Sequence, residues 1–248
     1  VAGSLLRVPQ LELAVESAEG VRLAASVGAA RVELCAALAE TDGITPSIAT
    51  VEQACQVDLP VHVLVRPRPG SFTYSAEELE VLERDVVAAL EAGAAGVVVG
   101  MLTDDGGPDV AALLRVSEVA RSHSPAAEVT FHRAFDAALA AGVDPGDALT
   151  RLNRAGVDRV LTSGGSPDCT AGLPMLARLV ELGRNHAPSL QIMAGGGVRL
   201  ELMSALVASG VNAVHTSARG LDPSTGTRAR AADPSLAAGM AAALRKAA

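Results

Sequence analysis

Aromatic side chains are scarce in this chain: of 248 residues, three are Phe, one is Tyr and none is Trp. Few rings are on offer for stacking nucleobases. The formal net charge of −8 and the lack of any Lys/Arg cluster remove the electrostatic basis for holding a phosphate backbone, so no nucleic-acid partner is expected. Lysine is scarcer still, with Lys246 the single copy. Schiff-base and PLP chemistry need a desolvated amine inside the site, which a lysine near the C-terminus is badly placed to supply. The three cysteines, Cys35, Cys55 and Cys169, have no short spacing and fit neither a disulfide framework nor a CxxC motif. Apolar stretches are broken by Arg, Glu, Asp or Gly before the roughly 18 residues of a membrane span, so no membrane partner is expected. The sequence starts at Val1 without a charged segment leading into an apolar one, and a cytoplasmic location is expected.

Apolar residues, by contrast, make up 49% of the chain against 19% charged, ample for a large buried core. The expected organisation is one domain over 1–248, with a core at about 11–219 and a helical C-terminal tail at about 234–247. An internal repeat sets the fold class. Gly28, Gly93, Gly156 and Gly210 each follow a helical pattern and precede an apolar run, and their starts are 65, 63 and 54 residues apart. Each glycine suits the C′ position that ends a helix, and each run reads as a buried strand. Further strands read at 11–15, 60–66, 128–132 and 190–194. Helical patterns fill the gaps; the clearest, 75–92, opens with a Ser75/Glu78 capping box before Leu79, Leu82, Val86 and Leu90. Eight alternating β and α units predict an α/β fold, a single (β/α)8 TIM barrel; a doubly wound open sheet is the alternative, and the fourfold repeat favours closure.

Side chains on a strand alternate between faces, which sorts the repeat into an outer and an inner set. Facing inward are Glu12/Ala14, Glu33/Cys35, His62/Leu64/Arg66, Val98/Gly100, Thr130/His132, Leu161/Ser163 and His215/Ser217. Barrel interiors are normally layers of Val, Ile and Leu. Here Glu12, Glu33, Arg66, His132 and His215 gather instead, and buried charges must pair or bind something. A catalytic or ligand site at the C-terminal mouth is the favoured reading, a structural salt-bridge network the alternative. Gly195, Gly196 and Gly197 after the seventh strand, with Ser217 and Arg219 after the eighth, occupy the loops that form the common barrel phosphate site; Ser163 and Gly164 are similar in character. Tight turns explain the same glycines equally well. Asp136 either orients the site or caps a helix, with capping slightly favoured. His62 reads as structural, and His123 and His186 as surface residues.

Several strings resemble those of the CutC copper-homeostasis protein family: Arg31-Val-Glu-Leu-Cys35, Thr45-Pro-Ser47, Val65-Arg-Pro-Arg68, Thr130-Phe-His-Arg-Ala-Phe-Asp136, Leu161-Thr-Ser-Gly164, Gly195-Gly-Gly197 and His215-Thr-Ser-Ala-Arg219. The resemblance runs from Leu11 to about Arg219 and implies a cytosolic barrel, a homo-oligomer linked to copper tolerance, with copper(I) held by cysteines on the first two strands. Cys35 matches the second of these, but Ala14 stands at the first. Cu(I) prefers thiolate or thioether donors, and Met193 is the inward residue available to complete a pair. Cys55 falls in a helical pattern and Cys169 in a loop.

Two function classes follow. One is a copper-handling protein using Cys35. The other is an enzyme acting on a small anionic or phosphorylated metabolite. In it Glu12 or Glu33 serves as acid or base beside His132 or His215, and Arg66 or Arg133 clamps a carboxylate or phosphate. A hard divalent ion on Glu12, Glu33 and the two histidines is a variant of the second, and a non-catalytic scaffold is a third class.

Overall fold

The computed structural model describes residues 8–220, 229 and 231–247. Eight parallel strands close on themselves in chain order: β1 (Gln10–Val15), β2 (Arg31–Leu34), β3 (Val61–Leu64), β4 (Gly96–Val99), β5 (Glu128–Phe131), β6 (Arg159–Thr162), β7 (Gln191–Gly195) and β8 (Ala213–Thr216). Closure is made by β8 against β1, with Glu12 opposite His215, so the open-sheet alternative falls. The helices are α1 (Ala18–Ser26), α2 (Leu38–Thr41), α3 (Ile48–Ala54), α4 (Ala76–Glu91), α5 (Val110–His123), α6 (Ala134–Ala140), α7 (Pro145–Arg154), α8 (Cys169–His186), α9 (Met203–Ser209) and α10 (Pro234–Ala247). None is long and apolar enough to cross a membrane.

The repeat glycines do what their spacing implied. Gly28, Gly93, Gly156 and Gly210 have φ between 76° and 101°, a left-handed turn that ends a helix and feeds the next strand. The capping box at α4 is present in full: the Ser75 hydroxyl accepts from Glu78 N–H, and the Glu78 carboxylate accepts from Ser75 N–H. Alternation produces two separate apolar regions. Leu11, Leu13, Val32, Leu34, Val63, Val97, Val129, Val160 and Val214 pack outward with the helices into one large core. The aliphatic residues left inside form two small groups, Cys35/Leu64/Val98 and Leu161/Met193/Ala213.

The C-terminal segment is helical over Pro234–Ala247, and this helix buries Ala237, Met240, Ala241 and Leu244. Two expectations are corrected. Cys169 is the buried first residue of α8 and does not lie in a loop. Asp136 caps nothing: it sits in the first turn of α6, and its carboxylate accepts from Arg133 Nε at 2.7 Å, Ser163 N at 3.1 Å and Gly165 N at 2.9 Å, tying the β6 loop to α6.

Candidate functional site

The barrel interior divides by height. Low in the barrel, charges are paired. Arg31 Nε donates to Glu12 at 2.5 Å, its Nη1 to Gln10 at 2.7 Å, and its Nη2 lies 3.7 Å from the Met193 sulfur. Across the barrel Arg159 donates to Glu128 at 2.8 Å, Gln191 at 3.1 Å and Thr130 at 3.2 Å. His62 lies 3.6 Å from Glu128 and is buried. Burial, against the pull of Glu12, lowers its pKa to about 4, so it is neutral near neutral pH. Arg31 and Arg159 were not read from the sequence as interior residues. They hold the same place, three after the repeat glycine, and Gly96 and Ala213 stand there in the other two copies, leaving room for the two guanidinium groups.

Above this layer His215 joins the two carboxylates. Its Nδ1 is 2.7 Å from Glu12 and 3.9 Å from Glu33. Burial pushes Glu12 upward in pKa, but the hydrogen bond and charge of His215, with the charge of Arg31, outweigh it and hold the carboxylate well below the usual range. His215 is raised: its hydrogen bond to Glu12 and the charges of Glu33 and Glu12 overcome its burial. Glu33 differs. Burial dominates, Glu12 adds repulsion, and the attraction of His215 is too weak to compensate, so its carboxyl is raised to about 7. A carboxyl poised there exchanges protons at neutral pH. The ligand atoms of Glu12, Glu33 and His215 all lie within 4.8 Å of one another. Glu12 is already spent on Arg31 and His215, however, so the trio is built as a proton-sharing cluster rather than as a cation cradle.

The mouth holds a cavity of about 720 Å³ walled in part by Glu33, Arg66, His132, Arg133, Gly196, Gly197, His215, Ser217 and Arg219. Glu12, Cys35, Ser163, Gly164 and Gly195, also read as site or ligand residues, are not on its wall. Ser163 is held inside the Asp136 network, and Gly164 N–H donates to Thr162 Oγ1. Gly195 faces the interior, where a Cβ would come within 2.4 Å of Leu161 and 3.0 Å of His215. Gly100 does the same for the other histidine, since a Cβ there would sit 2.1 Å from His132 Cε1.

His132 follows β5 and is fixed in one tautomer. Its Nδ1 accepts from Ala134 N–H at 3.0 Å, which leaves the proton on Nε2. Burial and the charge of Arg66 lower its pKa to about 3, so the ring stays neutral. Arg66 lies over the Phe72 ring and donates to the carbonyls of Thr41, Gly43 and Gly70. It is therefore chiefly a tie between two loops, and its Nε is left without a partner. Arg133 is braced by Asp136 and Ser163 and lies against Gly196, where a Cβ would come within 3.1 Å of Cζ. Arg219, its side chain 2% exposed, has one nitrogen on Glu16; Glu16 also accepts from Leu38 N–H at 3.0 Å. Sequence reasoning missed Glu16, which lies past the end of β1.

Seven buried side-chain polar atoms have no hydrogen-bond partner among the described residues, and five belong to this wall: Glu33 Oε2, Arg66 Nε, His132 Nε2, and Nε and Nη1 of Arg219. The other two are His62 Nδ1 in the lower layer and the Tyr74 hydroxyl under Arg68.

Comparison with known proteins places the chain. The family model described as the CutC family matches residues 9–220. A family protein CutC from Sodalis glossinidius is 41% identical over 232 residues, 93% of this chain and 86% of that protein. Its counterpart in Yersinia pestis is 39% identical over 217 residues, 87% of this chain and 81% of that protein. Among solved structures, a Streptococcus agalactiae protein named as a candidate copper homeostasis protein CutC superposes with a TM-score of 0.73 at 28% identity, covering 84% of this chain and 98% of its own. The chain belongs to the CutC family.

Proposed function

We propose that this CutC-family barrel binds a small anionic metabolite at its mouth and acts on it by proton transfer, with Glu33 as the exchanging group beside a charged His215. The observation that carries this reading is one cavity whose wall brings together Glu33, His132, Arg133, His215 and Arg219, with five buried polar atoms of the wall residues Glu33, Arg66, His132 and Arg219 left without a hydrogen-bond partner. Each unsatisfied buried group costs about 1–3 kcal/mol, and a ligand bearing oxygen atoms repays that cost where bulk water does not reach. Arg133 and Arg219, with the backbone of Gly196 and Gly197, supply the anion end; Glu33, His132 and His215 face the rest of the ligand. The test is a thermal-shift and calorimetric screen of phosphorylated and carboxylated metabolites against the wild type, His132→Ala and Glu33→Ala. Stabilisation of the wild type by one chemical class, weakened in both variants, supports the reading; ligand responses unchanged in both variants overturn it.

A second reading follows the name carried by the Streptococcus agalactiae relative, a part in copper homeostasis. For Cu(I) held on this chain the donors do not fit. Burial and the carboxylates of Glu33 and Glu16 push the Cys35 thiol far above its ordinary pKa, against the thiolate that binds metal. Ala14 offers no donor, and Met193 belongs to a different apolar group, against Arg31. An anaerobic titration is expected to show no stoichiometric Cu(I) retention. Retention of one equivalent, lost in Cys35→Ser, would restore the copper-binding reading.

A further inference from the structure

The lower charges are paired, the apolar groups are closed, and the remaining chemistry lies on opposite sides of the mouth, on β2 and after β5. The geometry points to a substrate with a carbonyl group next to an acidic C–H bond: His132 donates Nε2–H to the carbonyl oxygen, and Glu33 takes the proton from the neighbouring carbon. This inference rests on the anion-binding, proton-transfer reading above and narrows it to a substrate class.

Three observations carry it. First, His132 is a donor and not a base. Ala134 N–H occupies Nδ1, and the remaining Nε2–H, on a residue that lines the cavity, is buried without a hydrogen-bond partner. The ring is held in place by Phe72, its centroid 4.9 Å away, and by the missing side chain of Gly100. A neutral imidazole donor facing a glutamate base is an established arrangement for polarising a carbonyl while an adjacent proton is removed. Second, Glu33 lines the same cavity with a side chain 7% exposed, and its Oε2, 3.9 Å from His215 Nδ1, has no hydrogen-bond partner. His215 beside it stabilises the carboxylate form that accepts a proton, and its carboxyl is raised to about 7, a value suited to accepting and returning one. Third, the single lysine of the chain is Lys246, so no imine is available to acidify the C–H bond inside the barrel, and the His132 N–H is the group that can activate the carbonyl by hydrogen bonding. Arg66, with Nε free and its charge next to His132, adds stabilisation where negative charge develops on oxygen.

The step balances without an oxidant or a second reactant. The C–H bond breaks and its proton goes to the Glu33 carboxylate. The electron pair forms a C=C bond while the carbonyl π pair moves onto oxygen, giving an enolate held by His132 Nε2–H. Return to the same carbon of a proton that Glu33 has traded with solvent gives exchange. In a hydroxycarbonyl substrate, passage of the hydroxyl proton to the enolate oxygen and return of the Glu33 proton to the neighbouring carbon give an isomer.

The test uses the full chain with dihydroxyacetone phosphate and pyruvate as carbonyl probes, glycerol 3-phosphate and lactate as matched anions without the carbonyl, and phosphoglycolohydroxamate and oxalate as enolate mimics. Calorimetry is expected to show at least one mimic binding about a hundredfold more tightly than its matched anion. Proton NMR in deuterium oxide is expected to show exchange at the carbon next to the carbonyl of the corresponding probe, slowed about a hundredfold or more in Glu33→Gln. His132→Gln is expected to weaken the mimic by a larger factor than it weakens the matched anion. Nitrogen NMR of the wild type adds a readout that needs no variant: His132 stays in the Nε2–H form from about pH 5 to pH 8. Anions that bind while neither mimic is preferred and no exchange occurs, or a His132 that titrates in that range, would overturn the carbonyl assignment and leave the anion site standing. If none of the probes, anions or mimics binds, both readings fall.

Discussion

The lower interior of the barrel and its mouth are made from the same kinds of side chain and leave them in opposite states. Below, Arg31, Glu12, Gln10, Arg159, Glu128 and Gln191 satisfy one another, and among the described residues His62 Nδ1 is the one buried side-chain nitrogen of this layer without a hydrogen-bond partner. Above, Glu33, His132, Arg66 and Arg219 are just as buried but keep polar atoms unpaired beside a cavity. Buried charge is thus no sign of function by itself in this fold; the pairing state separates the part that holds the barrel together from the part that receives a ligand. His215 is the joint between them, bonded downward to Glu12 and facing Glu33 at the cavity.

The sharpest way to break this comparison is to unpair the lower layer. Arg31→Met leaves Glu12, fully buried, without one of its two cationic partners. Removal of one member of a buried ion pair costs about 3–5 kcal/mol. Urea unfolding of the variant should show an unfolding free energy lowered by that amount, and a loss below about 1 kcal/mol would mean that the lower layer is not the closed network described.

The mouth should respond with the opposite sign. Glu33 is raised from 4.5 to about 7, so between those values the folded protein binds more protons than the unfolded chain. Stability from this group is complete below pH 4.5 and falls as pH rises through 7. Glu33→Gln removes the ionisation, so its stability relative to the wild type should climb over that window by an amount approaching roughly 3 kcal/mol. Paired unfolding curves at several pH values check it; a pH-independent difference would show that Glu33 titrates normally.

Much of this contrast was legible in the sequence. The four glycines gave the strand count and closure, and alternation put Glu33, His132 and His215 on one face. The same parity also places Arg31 and Arg159 inside, because they stand two residues before Glu33 and Leu161; the alignment had to start three residues after the glycine rather than five. What parity does not encode is where loops pass. Arg66 points into the mouth as expected, but its guanidinium is claimed by carbonyls at positions 41, 43 and 70, and Ser163 is claimed by Asp136. Glu16 and Arg219 meet from opposite ends of the chain, on loops that the barrel's closure brings together. No spacing rule predicts such a contact.

Gly100 sharpens the comparison at one point. A methyl group there would overlap the His132 ring, so Gly100→Ala must displace the imidazole or the strand. Overpacking of this kind costs about 1–3 kcal/mol. The diagnostic result is a change in the His132 imidazole resonances together with a lower melting temperature. Unchanged resonances would show that the ring has another place to go.

The smallest effect is expected at Cys35, which lies just past the end of β2 near the mouth yet belongs by its environment to the closed region. It is fully buried among Leu64 and Val98, with its sulfur 3.6 Å from the Val15 carbonyl, and it does not reach the cavity. Cys35→Ala removes one buried atom from an apolar group and should cost about 1 kcal/mol. Because the thiol neither touches the ligand space nor pairs with a charge, anion binding measured by calorimetry should match the wild type. A variant that keeps its stability but loses ligand would move Cys35 from the closed region to the open one, and the boundary drawn between them would have to be placed lower in the barrel.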